Sequence, residues 1–128
     1  MELPVRILLV LAALSGLCGV AGGAFGAHAA ASAEAKAWMQ TGGHYQLVHA
    51  VAVFAAFGLW RMAGGGAAMG AAWLFLAGGA VFAGTLYAMA LGAPRWLGAV
   101  TPIGGALLLL GWAALAWAAV TGARSELV

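Results

Sequence analysis

Residues 7–27 read ILLVLAALSGLCGVAGGAFGA, a run with no charged side chain. An α-helix rises 1.5 Å per residue and the hydrocarbon core of a bilayer is about 30 Å thick, so about 20 apolar residues are needed to cross it. This run has that length, and no face of it is polar enough to be turned toward water. Its first part also fits a secretory leader, with Arg6 as the basic region, Ile7–Leu17 as the apolar region and Ala27-His28-Ala29 as a cleavage-like triplet. The apolar run continues well past such a leader core, however, and three more runs come after it. It is read as a membrane span.

The sparse charges delimit the other runs. Ala37–Trp60, Met62–Pro94 and Trp96–Ala123 are each free of Asp, Glu, Lys and Arg, and each holds one crossing and not two. The expected spans are about 6–27, 44–60, 68–92 and 102–121. Residues 1–128 then form a single all-α integral membrane domain, a four-helix bundle. Gly64-Gly65-Gly66 reads as a tight connection. Pro94 cannot continue a helix, so span three stops before it. Thr101-Pro102 reads as an N-cap followed by proline in the first helical turn. Ser32–Gln40, with Glu34, Lys36 and Trp38, is too polar to cross, and a short interfacial helix is expected there with Trp38 at headgroup depth.

Composition agrees with this reading and removes other classes of protein. Hydrophobic residues make up 66% of the 128 positions and charged ones only 6%, against about 25% charged in a soluble domain. Arg6, Lys36, Arg61, Arg95 and Arg124 are scattered singly, so there is no basic face for nucleic acid. The single cysteine, Cys18, excludes an intrachain disulfide and reads as a small hydrophobe. Membrane lipids are the expected partners. Four spans place both termini on one side, with Arg6, Arg61 and Arg124 there and Lys36 and Arg95 opposite. Basic residues favour the cytoplasmic side, so both termini are expected in the cytoplasm.

Glycine is abundant, with 21 residues, and in lipid small residues let helices approach closely. Candidate packing positions are Gly19, Gly23 and Gly26 in span one, Gly84 in span three, and Gly104 and Gly105 in span four. Packing within the bundle is favoured over a dedicated dimer seam, although a homo-oligomer stays open. Gly23→Leu is expected to unseat span one.

Uncharged polar side chains are few, and alternating spans gather them toward one membrane face. His28 ends span one. His44, Tyr45, Gln46 and His49 open span two, Tyr87 lies near the end of span three, and Thr101 opens span four. Tyr45, Gln46 and His49 share a helix face, and His49 is expected about 7 Å below the start of its helix. Two readings compete. In one, His28, Tyr45, Gln46, His49, Tyr87 and Thr101 line a pocket for a lipid, quinone or small solute. In the other they are an interhelical hydrogen-bond clamp, which is favoured. No metal or cofactor set is present, since His44 and His49 lie on different helix faces and no acidic residue or second cysteine completes a site. Catalytic motifs are absent as well: there is no Gly-x-Ser-x-Gly, His-Glu-x-x-His or phosphate loop. A non-enzymatic structural or accessory role is expected.

Gly-Ala-Phe-Gly-Ala-His at 23–28, then Trp38, Thr41-Gly42, Tyr45-Gln46 and His49, form an ordered pattern. It continues as Phe82-x-Gly84-x-Leu86-Tyr87-x-x-Ala90-Leu91, then Thr101-Pro102-x-Gly104-Gly105 and Gly111-Trp112. This pattern resembles the YgdD/YwdK family of small bacterial inner-membrane proteins (domain of unknown function 423), whose eukaryotic relatives are transmembrane protein 256-like proteins. The resemblance implies four spans, an inner-membrane location and no established activity. Its motif positions fall here on His28, Tyr45, Gln46, His49, Tyr87, Thr101 and Pro102, whereas His44 departs from it.

Overall fold

The computed structural model describes residues 1–122, so Arg124 lies outside the described residues. Four long helices succeed one another: α1 (Leu3–Ala29), α2 (Ala33–Ala63), α3 (Gly66–Ala90) and α4 (Thr101–Thr121). A short 3₁₀ turn, Arg95–Ala99, connects the last two. All four are long and apolar enough to cross a bilayer, and no strand occurs among the described residues. The protein is an all-α, four-helix membrane protein.

The largest departure from the sequence reading is the stretch 32–40, which is not a separate interfacial helix. The Ser32 hydroxyl accepts a hydrogen bond from the Ala35 amide at 3.0 Å and starts α2. Residues 33–41 contain no Gly or Pro to interrupt the helix. Ala35 and Met39 are buried while Glu34, Lys36 and Gln40 face outward, so these turns pack against the bundle. Their polarity belongs to one face only. At 31 residues, α2 is about 46 Å long and projects beyond the hydrocarbon layer.

The helix ends obey local chemistry. Gly64 and Gly65 close α2 at φ +70° and +82°, a region glycine enters without steric cost, and this lets a two-residue turn reverse the chain. Thr101 is not an N-cap: it is the first residue of α4, and its hydroxyl bonds sideways to Thr85 instead of to a free amide of its own helix. Pro102 occupies the first turn, where a missing N–H is harmless.

Helices α2 and α3 form the central pair. α1 lies mainly on α2 and α4 mainly on α3, whereas α1 and α4 do not touch among the described residues. The bundle is therefore rhombic in cross-section, and the α2/α4 seam is only lightly closed. Leu8 and Ala12, Ala52, Val53 and Ala56, Ala71, Ala72 and Phe75, and Leu108 form a dry core. That core occupies the half of the bundle nearest the N-terminus. At the opposite end Arg95 pairs with Glu34 and its guanidinium lies 5.5 Å from the Trp38 ring centroid, joining the α3–α4 connection to the start of α2.

Candidate functional site

The polar side chains lie deeper than the sequence indicated. Because α2 begins at Ala33, His49 is 16 residues into it, about 24 Å along the axis. That is near the helix midpoint, not one turn below its start.

Gln46 and His49, 8% and 5% exposed, are one turn apart and reach all three other helices. Gln46 Nε2 donates to Ser15 Oγ of α1 at 3.2 Å, and its Oε1 accepts from the Tyr87 hydroxyl of α3 at 2.8 Å. His49 Nδ1 lies 2.6 Å from the Tyr45 carbonyl oxygen, and the Trp112 indole N–H of α4 points at Nε2 from 3.0 Å. A carbonyl can only accept and an indole can only donate. The partners therefore assign the neutral tautomer, with hydrogen on Nδ1 and the lone pair of Nε2 taken by Trp112. Neither ring nitrogen is left for a metal, and no group of three or more potential ligands occurs among the described residues.

Backbone proximity makes these bonds reachable. A Cβ at Gly22 of α1 would stand 2.7 Å from the Tyr87 hydroxyl, and one at Gly42 of α2 would stand 2.8 Å from the Tyr87 ring. The two glycines form the slot that holds the Tyr87 ring and aims its hydroxyl at Gln46. Gly19 and Gly43 bring the α1 and α2 backbones together in the same way, with would-be Cβ atoms 2.9 Å from Leu47 N and 2.7 Å from Gly19 O.

The six residues grouped by the sequence divide into separate sets. Gln46 and Tyr87 form one hydrogen-bonded string with Ser15. His49 pairs with Trp112, and the Tyr45 ring stacks parallel to His49 with its own hydroxyl outside these bonds. Thr101 lies nearer the helix ends, where its hydroxyl is 2.7 Å from that of Thr85. His28 joins none of them: it is exposed in the last turn of α1, so a pocket shared by His28 and His49 does not form. Among the glycines, Gly26 and Gly104 stand at close helix crossings, where a Cβ would strike Met39 and Phe82. Gly23 and Gly84 would each point a Cβ into open space, and at Gly105 the nearest atom would be Phe82 Cδ2 at 3.9 Å. These three are not packing positions through their own side-chain direction, although the backbone of Gly23 is approached by Gly43.

The sequence does not single out Ser15, Thr85 and Trp112 as partners. Each carries a polar group in an otherwise apolar span, which is itself a signal, but its partner depends on how the helices rotate. Beside the His49–Trp112 pair, a groove of about 510 Å³ opens at the α2/α4 seam, lined among others by Tyr45, Phe82, Gly105 and Leu109.

Comparison with known proteins identifies the lineage. Residues 22–105 match the family described as Protein of unknown function (DUF423), a stretch that contains Gln46, His49, Tyr87 and Thr101, with Ser15 and Trp112 outside it. The chain is similar to the UPF0382 membrane protein YwdK of Bacillus subtilis, 37% identical over 81 residues, covering 62% of this chain and 66% of that protein. It thus spans just under two thirds of that relative. It is also similar to a UPF0382 membrane protein of Haemophilus influenzae, 41% identical over 86 residues, covering 66% of this chain and 68% of the relative. No solved structure matches the chain. With four apolar helices and a match over most of its length, the chain belongs to the DUF423 family of membrane proteins.

Proposed function

We propose that the protein is a non-enzymatic structural or accessory component of the membrane, in which the central polar residues hold the helices in register. One observation carries this reading: the single turn from Gln46 to His49 is hydrogen-bonded to α1, α3 and α4 at once. Consistently, no buried side-chain nitrogen or oxygen among the described residues lacks a partner. A site for chemistry usually keeps a group free or strained for its substrate, at some expense of stability. Here the groups are spent on one another.

This predicts a sign. Replacing a catalytic or ligand-binding polar residue with a hydrophobe of similar size commonly leaves stability unchanged or raised, whereas replacing a clamp residue lowers it. The test is the thermal unfolding of Gln46→Leu and His49→Leu, each in detergent and in lipid nanodiscs. Both variants are expected to unfold at lower temperature than wild type. Wild-type or higher stability in both would overturn the clamp.

The reading includes a bacterial inner membrane, since outer-membrane spanning proteins are barrels and not helical bundles, and it places both termini in the cytoplasm. Arg6 and Arg61 lie at the terminal end, and Lys36 and Arg95 at the other. A reporter fused after Val128 tests the orientation, and periplasmic activity of that reporter would reverse it. Lipid covers the outward faces, and self-association is compatible with them; cross-linking in native membranes measures it.

A further inference from the structure

The α2/α4 groove is a sizeable cavity of the bundle, and the clamp pair His49 and Trp112 forms part of its wall. Its volume of about 510 Å³ is within the range of small-molecule sites, which are mostly apolar with a few placed polar groups. Tyr45, Phe82 and Trp112 give it three aromatic faces, while Pro102, Gly105 and Leu109 are among its other lining residues. It runs along α4 from Pro102 to Trp112, about 15 Å at 1.5 Å per residue.

Among the lining residues, Tyr45 carries a hydroxyl that lies outside the clamp. The residue is 44% exposed, its ring is held between Phe82 (centroids 4.8 Å apart) and His49 (6.1 Å, parallel), and its hydroxyl has no partner among the described residues, where only its carbonyl is bonded. Depth decides what could accept from it. Tyr45 is seven residues past Trp38 on α2, about 10 Å along the axis from the level where the exposed Glu34–Arg95 pair lies against that tryptophan, and charged groups stay out of hydrocarbon. Phe82, against which it packs, is eight residues before the end of α3, about 12 Å along the axis from that end. Phospholipid ester carbonyls stay at the interface, and their chains carry no acceptor at this depth. A hydroxyl in hydrocarbon without an acceptor is costly. A flat ring with a carbonyl, soluble in hydrocarbon, satisfies the hydroxyl and stacks on the aromatic walls.

We propose that the α2/α4 groove binds the ring of a membrane-soluble quinone, with one carbonyl accepting a hydrogen bond from the Tyr45 hydroxyl. The chemistry assigned to the groove is binding. It goes beyond the clamp: His49 and Trp112 line the groove as well, but neither the Tyr45 hydroxyl nor Gly105 takes part in the bonds that hold the helices. Gly105 keeps the groove open: a Cβ there would meet only Phe82 Cδ2, at 3.9 Å, an ordinary van der Waals distance, so a side chain starts into the groove without forcing α4 off α3.

The experiment is titration of the intrinsic tryptophan fluorescence with decylubiquinone, using the full chain in phospholipid nanodiscs, since Trp112 lines the groove and a bound quinone quenches it. Wild type is expected to show saturable quenching above the linear background of partitioned quinone. Tyr45→Phe, which keeps the ring, is expected to bind about 3- to 10-fold more weakly, the worth of one hydrogen bond. Gly105→Leu is expected to lose the saturable component with its unfolding temperature retained. Should that variant fail to fold, Ala106→Phe fills the same groove from its lipid-facing side. Purely linear quenching in wild type would overturn the proposal, as would identical saturation in wild type, Tyr45→Phe and the filled variant. Displacement of the quinone by an equal concentration of decanol would assign the groove to an alkyl chain and overturn it too.

Discussion

If Gln46 is the hub that joins the helices, its partners must be energetically coupled to it, and the Gln46–Tyr87 pair gives the sharpest case. Tyr87→Phe removes only the hydroxyl that donates to Gln46 Oε1 at 2.8 Å. Side-chain hydrogen bonds between membrane helices average about 0.6 kcal/mol and reach about 1.7 kcal/mol, and this loss should fall in that range. Gln46→Leu removes both the Tyr87 and the Ser15 bonds and leaves the hydroxyl of the half-buried Tyr87 without a partner beside Gly22. An orphaned buried group costs about 1–3 kcal/mol. In the Gln46→Leu background Tyr87→Phe has no bond left to break and removes the orphan. It should then cost nothing or restore stability, giving a coupling energy of at least about 0.6–1.7 kcal/mol, larger by whatever stability is restored. The Ser15–Gln46 contact, at 3.2 Å, is at the long end of the hydrogen-bond range, so Ser15→Ala should couple to Gln46 less strongly. Reversible unfolding in mixed micelles, driven by the mole fraction of dodecyl sulfate and followed by helical circular dichroism, measures every protein in the two cycles. Additivity of the Gln46 and Tyr87 changes within about 0.3 kcal/mol would refute the coupling.

Three other outcomes rest on the same geometry. Gly22→Ala is expected to destabilise by about 1–3 kcal/mol through overpacking of the Tyr87 ring, whereas Gly23→Ala, one residue away and facing open space, should be neutral or slightly stabilising; equal unfolding midpoints for the two would contradict the slot. Trp112→Phe should lower stability by about 1–2 kcal/mol by leaving His49 Nε2 without its donor, and in His49→Leu the same substitution should cost less, as read by the same unfolding assay. Arg95→Gln should change stability by less than about 1 kcal/mol, since the Glu34–Arg95 pair is exposed, 74% at Arg95 and 48% at Glu34. Any such effect should shrink as salt is raised, and a large, salt-independent loss would show that the pair is more than a surface contact.

Crossing segments are legible because charge scarcity and run length are properties of single segments: the runs after Arg61 and Arg95 each contain one helix, and the run after Arg6 lies within α1. The stretch 32–40 is misread when average polarity is used where facing matters. Glu34 and Lys36 lie on the outward side of a helix whose other side buries Ala35 and Met39, and only the packing of α1 reveals which side is which. Gln46, His49 and Tyr87 stand out as polar residues in apolar spans. Their pairing depends on three helix rotations and on the offset of α2, whose early start moves His49 from the rim to the midplane. His28 is grouped with them only by its place at a span end. The structure leaves it outside because the face of α1 that meets α2 carries Gly19 and Gly26, while His28 points away from it.

The rhombic arrangement explains why the clamp is on α2 and the groove beside it. In a closed square of helices each pair of neighbours is covered by its own long seam. Here α1 and α4 have no common seam, so nothing ties them to each other directly, and their relative register must pass through the central pair. Apolar packing in lipid fixes register weakly, because lipid chains solvate an apolar face about as well as another helix does. A polar turn on a central helix is the economical remedy: Gln46 fixes α1 and α3 and, one turn on, His49 fixes α4. The His49–Trp112 bond crosses the seam that helix packing leaves lightly closed. It holds α4 at a set distance from α2 and leaves the space above it, toward Tyr45 and Pro102, unfilled. Losing that one bond should therefore alter the shape of the groove as well as the stability of the bundle. Filling the groove at Gly105 should leave the bond intact.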